Sequence, residues 1–197
     1  MTHYPSVAGS SLAERRRWTT QVEIAEAAAA LFAEQGYDAT TVEQIADRAG
    51  IGLRTFYRYC SGKDDVFSAV LARNVATLVE ALRDSPASTT LAQFFIGAFT
   101  GQIQGRETPP LSDRLGVLLT TIPQLRSRLL GAEGLAQQGL VSVIAQRLGL
   151  EEQGLRARAT AAIMVASATA AVEHSAETGQ PLEDCLVEAM ALVEHGI

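Results

Sequence analysis

Apolar residues recur along this chain every three to four positions, and nowhere do they alternate as they would in a half-buried strand. From about Thr19 the series Ile24, Ala25, Ala28, Leu31 and Phe32 predicts a helix that Gly36 ends. Thr40-Thr41 opens a second, small helix with Val42, Ile45, Ala46 and Ala49 on one face. Gly50 supplies a tight turn, and Ile51 can plug the angle between this helix and the next. About two helical turns follow, carrying Arg54, Thr55, Tyr57, Arg58 and Tyr59, which is too many hydrogen-bond donors for a core helix. Ser61 or Gly62 caps the next helix, with Asp64 and Asp65 in its first turn, and it runs through Val66, Val70, Leu78 and Leu82 to Ser85-Pro86.

The rest of the pattern is helical without a motif. Leu91 to Gly105 is apolar, and residues 105–110 form a break. Leu111–Thr121 is a short helix stopped by Pro123. Leu125–Leu148 makes one or two helices, with Gly131 and Gly134 as weak points. Glu151–Thr178 reads as one long helix ended by Gly179 and Pro181, and Leu182–His195 as an amphipathic last one. The expected fold class is all-α.

Composition narrows the function. At 47% hydrophobic residues the chain of 197 can bury a core. A net charge of −6 argues against a protein that coats nucleic acid without regard to sequence. Even residues 1–65 hold seven cations against nine acids, so any signal for DNA is positional. Cys60 and Cys185 lie far apart and form neither a metal motif nor a disulfide framework, which suits a cytoplasmic protein. Residues 1–17 lack the apolar stretch of a signal peptide. The longest apolar run, Ala161 to Val172, is interrupted by Ser167 and Thr169 and is too short to span a bilayer, so no membrane partner is expected.

A short donor-rich helix propped on a small apolar one is the build of a helix-turn-helix that reads a DNA groove. Arg15-Arg16-Arg17 before it is either a solvated helix start or a basic arm against phosphates. Lys63 sits at the start of a helix, where a cation is unfavourable unless an anion such as a phosphate lies nearby.

The chain resembles the TetR (tetracycline-repressor) family of bacterial regulators. The residues that carry the resemblance are Ile24-Ala25, Ala27-Ala28, Leu31-Phe32, Glu34, Gly36-Tyr37, Thr40-Thr41-Val42, Ile45-Ala46, Ala49-Gly50-Ile51, Thr55-Phe56-Tyr57, Tyr59, Lys63-Asp64 and Val66-Phe67. They span roughly residues 19–70. The resemblance implies a flexible arm over 1–17, a three-helix DNA-binding head over 18–62 and a helical ligand-binding and dimerisation domain over 63–197. It implies that Phe56 faces the head core. Thr41, Tyr57, Tyr59 and Lys63 match positions that hold the DNA backbone, with Arg48 as a further phosphate candidate, and Leu53, Arg54, Thr55 and Arg58 lie where base edges can be reached. Arg54 is the best candidate for a bidentate contact to guanine. Two departures stand out: Gly52 caps the recognition helix where serine is common, and Cys60 stands where an aromatic is common.

The function so implied is a repressor, dimeric through its last two helices, that binds a near-palindromic operator on double-stranded DNA and is released by a small apolar effector. Phe94, Phe95 and Phe99 are candidate pocket residues beside the plainer reading of core. His174 is a candidate beside that of a satisfied polar group or dimer contact. No catalytic or metal constellation appears. Gly50-x-Gly52 follows no strand, and Ser61-Gly62-Lys63-Asp64 lacks the parts of a phosphate-binding loop, so neither enzyme nor cofactor is expected. The alternative is a helical interaction module whose head no longer binds DNA, with Gly52 as its support.

Overall fold

The computed structural model describes residues 11–100 and 112–195, which are helical with short connections. Helix α1 spans Leu12–Gln35 and starts on a reciprocal cap: Ser11 accepts from the Glu14 N–H, and Glu14 accepts from the Ser11 N–H. That cap moves the helix start well ahead of Thr19. Arg15, Arg16 and Arg17 therefore sit on helix, and the part of the expected arm from Leu12 onward is corrected. Gly36 closes α1 with φ of 84°, a conformation that only glycine adopts without strain.

Helix α2, Val42–Arg48, is capped by Thr41 and Gln44 in the same reciprocal way. Gly50, with φ of 66°, turns the chain into α3, Leu53–Tyr59. The next helix does not begin at Ser61 or Gly62 as its caps suggested. Lys63–Asp65 form a single 3-10 turn, and α4 runs over Ser68–Asp84. The 3-10 turn tightens the corner so that Val66 and Phe67 can both drop into the core.

The remaining helices are α5 (Leu91–Phe99), α6 (Ser112–Thr121), α7 (Pro123–Leu148), α8 (Leu155–Thr178) and α9 (Leu182–His195). Helix α5 takes up the first part of the expected apolar run from Leu91 to Gly105, and the rest of that run and the expected break at 105–110 lie outside the described residues. Pro123 does not merely stop α6. It opens α7, where a missing N–H costs nothing and its fixed φ already suits a helix. Helix α7 then passes unbroken through Gly131 and Gly134.

Two apolar clusters hold the molecule together. The first joins Ile24, Ala28 and Phe32 of α1 to Ile45, Phe56 and Phe67, and continues into Leu115, Leu118 and Leu119 of α6 and Leu125 of α7. Apolar packing is thus continuous between the head and the second half of the chain. The second cluster gathers Ala81 and Leu82 of α4, Phe94 and Phe95 of α5, Leu140 and Ile144 of α7, the alanines of α8, and Leu186 and Met190 of α9. Helix α8 has the length and composition of a membrane span, contrary to the expectation from its interrupted apolar run. It nevertheless packs on α7 and α9, and a third of its most apolar stretch is buried within the protomer.

The α4–α5 corner is clamped by Arg147 of α7. Its guanidinium donates to the carbonyls of Leu82, Ser85, Pro86 and Thr89 and to the Ser85 hydroxyl at 2.7–3.1 Å. Midway along the same helix pair, α4 and α7 approach so closely that a Cβ on Gly139 would stand 2.8 Å from a Val79 methyl. Gly139→Leu should therefore lower stability by about 1–3 kcal/mol through overpacking. Gly131 has open space around it, so Gly131→Ala should instead add up to about 1 kcal/mol, a rise of roughly 2–4 °C in Tm. Thermal melts of both variants check the pair, and equal shifts would show that the α4–α7 contact is not close.

Candidate nucleic-acid interface and apolar cavity

Helix α3 is held by one buried side chain and turns most of the others outward. Phe56 is fully buried in the head core. Leu53, Arg54, Tyr57 and Arg58 are exposed, Tyr57 at 56%. Thr55 is half-buried. A large aromatic this open, on a helix rich in donors, is positioned to meet a partner.

Gly52 starts α3 with ordinary extended geometry, φ −76° and ψ 154°, and its carbonyl accepts from Thr55 and Phe56 at 2.8 and 3.0 Å. The backbone therefore begins the helix without a capping hydroxyl, which removes the support Gly52 lent to a degenerate head. Thr41 accepts from the Gln44 N–H and keeps its own hydroxyl proton to donate outward.

Two of the expected phosphate ligands have partners inside the protein. Arg48 forms a two-pronged pair with Glu34 at 2.5 and 2.7 Å, so a freely available phosphate-binding Arg48 is not what the structure shows. That hydrogen bond is also the main reason the Glu34 carboxyl titrates below the usual range. Lys63 donates to the Tyr37 and Thr40 carbonyls at 2.8 and 3.0 Å and stands 4.2 Å from the Tyr37 ring centre. Its charge is balanced by carbonyls that close the α1–α2 loop, so no phosphate is needed to keep it there. Tyr59 is half-buried against the head core, with the Arg58 guanidinium 4.8 Å and that of Arg17 6.0 Å from its ring centre. The Arg17 contact carries the start of α1 up to the end of α3. Sequence spacing could not reveal that, because it depends on how α1 crosses the motif.

Behind α3 lies Asp65. It accepts from the Ser61 N–H at 3.0 Å, the Ser61 hydroxyl at 3.1 Å and the Ser68 hydroxyl at 2.7 Å, and faces Arg128 at 3.6 Å. Burial alone would raise its pKa. These donors outweigh burial and hold it below the ordinary carboxylate value. Burial, and secondarily the Asp65 charge, push the neighbouring Cys60 thiol up to about 12.

The second half of the chain encloses a cavity of about 690 Å³. Its walls come from six helices, with Leu71, Asn74, Val75 and Leu78 of α4, Phe95 and Phe99 of α5, Leu115 and Leu119 of α6, Leu129, Ala132 and Glu133 of α7, Val165, Thr169 and Val172 of α8, and Leu182 of α9. Of the expected pocket residues, Phe95 and Phe99 line it. Phe94 does not: it is buried against Phe95, edge to face at 5.8 Å. His174 is also outside the lining, and its Nε2 lies 3.1 Å from the Gln180 side-chain oxygen. Among the described residues no group of His, Cys, Asp and Glu is gathered for a metal.

An exposed donor-rich α3 behind a capped α2, and a cavity touched by the helix that follows, match known proteins in both parts. Residues 24–70 match the family "Bacterial regulatory proteins, tetR family", and residues 86–197, more than half of the chain, match the "MftR C-terminal domain" family. The chain is a TetR-family transcriptional regulator. It binds DNA and is not an enzyme. It is 29% identical to the regulator TcmR of Streptomyces glaucescens over 150 residues, which is 73% of this chain and 66% of that one. It is 29% identical to MftR of Mycobacterium tuberculosis over 170 residues, 81% of each chain. Its fold matches the structure of FadR from Bacillus subtilis in complex with stearoyl-CoA, with a TM-score of 0.60 and 20% identity over 89% of this chain and 98% of that one.

Within this regulator Cys60 is a core residue and not a reactive thiol. At pH 8 it should resist an aqueous thiol reagent in the folded protein and react fully in urea, read by peptide mass spectrometry. Modification of native Cys60 within minutes would show that the end of α3 opens far more than its packing implies.

Proposed function

We propose that this regulator is a dimeric repressor that binds a near-palindromic operator and is released when a small, largely apolar molecule fills the cavity. The observation that carries the reading is the course of α4. Its first turns pack against α1 with Val70 in the head core, and its middle supplies Leu71, Asn74, Val75 and Leu78 to the cavity wall. An occupant that binds the two arrangements of α4 with different affinity shifts the head between them.

Several features support the finer points. The cavity volume is in the range of small-molecule sites, and most of its lining is aliphatic or aromatic. FadR holds stearoyl-CoA, which makes a fatty-acyl compound a reasonable first probe here. On α8 and α9, Ile163, Val187 and Leu192 are exposed among alanines. A second copy packed there as a four-helix bundle would cover them, and the two α3 helices would then meet successive major grooves about 34–36 Å apart. Operator DNA in a bacterium places the working protein in the cytoplasm.

On α3, Arg54 reads bases and Tyr57 holds the backbone, together with Thr41 at the start of α2. Fluorescence anisotropy on fragments of the DNA flanking the gene tests this. Wild type should show tight, salt-sensitive binding to one fragment, weakened by stearoyl-CoA or a related acyl compound. Arg54→Ala should lose about tenfold or more on that fragment and little on random DNA, as expected for a bidentate base contact worth about 1–3 kcal/mol. Tyr57→Phe should weaken both alike. Binding that never discriminates among fragments would sink the repressor reading.

A further inference from the structure

We infer that Asp65 is a positioning residue for DNA recognition, tying the end of the recognition helix to the start of α4 and, through Arg128, to the cavity-lining helix α7. The inference rests on the proposed role of α4 and adds to it the contact through which α7 reaches the head.

The connection follows from which atoms Asp65 holds. One carboxylate oxygen accepts from both the N–H and the hydroxyl of Ser61, at 3.0 and 3.1 Å, two residues past the end of α3 at Tyr59. The other accepts from the hydroxyl of Ser68, the first residue of α4, at 2.7 Å. That same oxygen stands 3.6 Å from Arg128, which directly precedes the cavity residue Leu129 on α7. One carboxylate therefore ties the chain just past α3, the start of α4 and α7 together through directional polar contacts, which fix orientation more closely than the apolar packing around them.

The two ends of α4 are gripped unequally by α7. At the far end Arg147 makes five bonds of 2.7–3.1 Å to the α4–α5 corner. At the head end Arg128 of α7 pairs with Asp65 in the α3–α4 turn, at a longer 3.6 Å and partly exposed, 40% for the arginine and 22% for the aspartate. Between them Gly139 lies close against Val79, and on the head side of that contact both helices line the cavity. A molecule that pushes α4 and α7 apart thus works against a firm corner on one side and a weak pair on the other. The weak side yields, and Asp65 delivers the displacement to Ser61 and the last turn of α3.

The test uses the full chain. Hydrogen exchange by mass spectrometry is measured on wild type, Asp65→Asn, Arg128→Ala and Arg128→Lys, with Arg147→Ala as a stability control, beside operator affinity by anisotropy. Asp65→Asn should speed exchange over residues 57–62 while α8 and α9 stay as in wild type, and should weaken operator binding about tenfold or more. Arg128→Ala should speed the same segment and weaken binding by up to about fivefold, as suits a partly exposed pair. Arg128→Lys should restore both. Arg147→Ala should lower Tm without singling out residues 57–62. Exchange at 57–62 unchanged in Asp65→Asn, acceleration spread evenly over the chain, or operator affinity within twofold of wild type would each overturn the inference. Should wild type bind no operator, the repressor reading fails, and the exchange pattern alone decides the role of Asp65.

Discussion

The packing of α4 against α7 is the constraint on which the rest of the molecule depends. Both helices belong to both apolar clusters. Helix α4 gives Val70 to the head cluster and Ala81 and Leu82 to the other, and α7 gives Leu125 to the first and Leu140 and Ile144 to the second. Neither half can shift without straining a helix that is buried in the other. Because well-packed interiors deform poorly, motion between the halves is confined to where packing is absent, and that place is the cavity. The head and the cavity are joined here because they share helices.

An acidic protein recognises a polyanion by choosing which cations stay unpaired. Arg48 and Lys63 are spent internally, on Glu34 and on loop carbonyls, and they fix the shape of the head. Arg54 has no partner among the described residues and stands exposed on α3, while Arg58 lies over Tyr59. The counterion release that drives DNA association comes from such exposed cations, whatever the net charge of the chain. This division also explains why counting charges over residues 1–65 could not locate the binding face. The relevant property is which pairs close within the fold.

What could be read from the chain follows the range of the interactions. Helices α2 and α3, the turn at Gly50 and the end of α1 at Gly36 rest on contacts within about four residues, so their signals are local and were legible. The helix start at Leu12 agrees with the reading of Arg15-Arg16-Arg17 as a solvated helix start, but apolar periodicity places the helix only from about Thr19 because its first turns are exposed and bury nothing. The 3-10 turn at Lys63–Asp65 was missed because it is imposed by burying Val66 and Phe67 together, a tertiary demand. Gly131 and Gly134 leave one helix or two open for the converse reason: only packing along α7, which outweighs their propensity cost of about 1 kcal/mol each, decides for one. The family resemblance singled out the donors that α3 exposes, but it could not say that Arg48 and Lys63 already have partners.

The cavity was illegible for a deeper reason. Hydrophobic periodicity reports which face of a helix is buried and is blind to how well that face is filled. Ala98, Ala132 and Ala136 line the space, and each could be a larger apolar residue without altering the helical pattern. Gly116 lines it as well, and a Cβ there would stand 2.9 Å from a Val172 methyl, so even one added atom changes the wall. Volume and shape can therefore vary by single methyl groups while the helices, the α4–α7 contact and the head remain as they are. The cavity wall can thus change without any change in the residues that build the head.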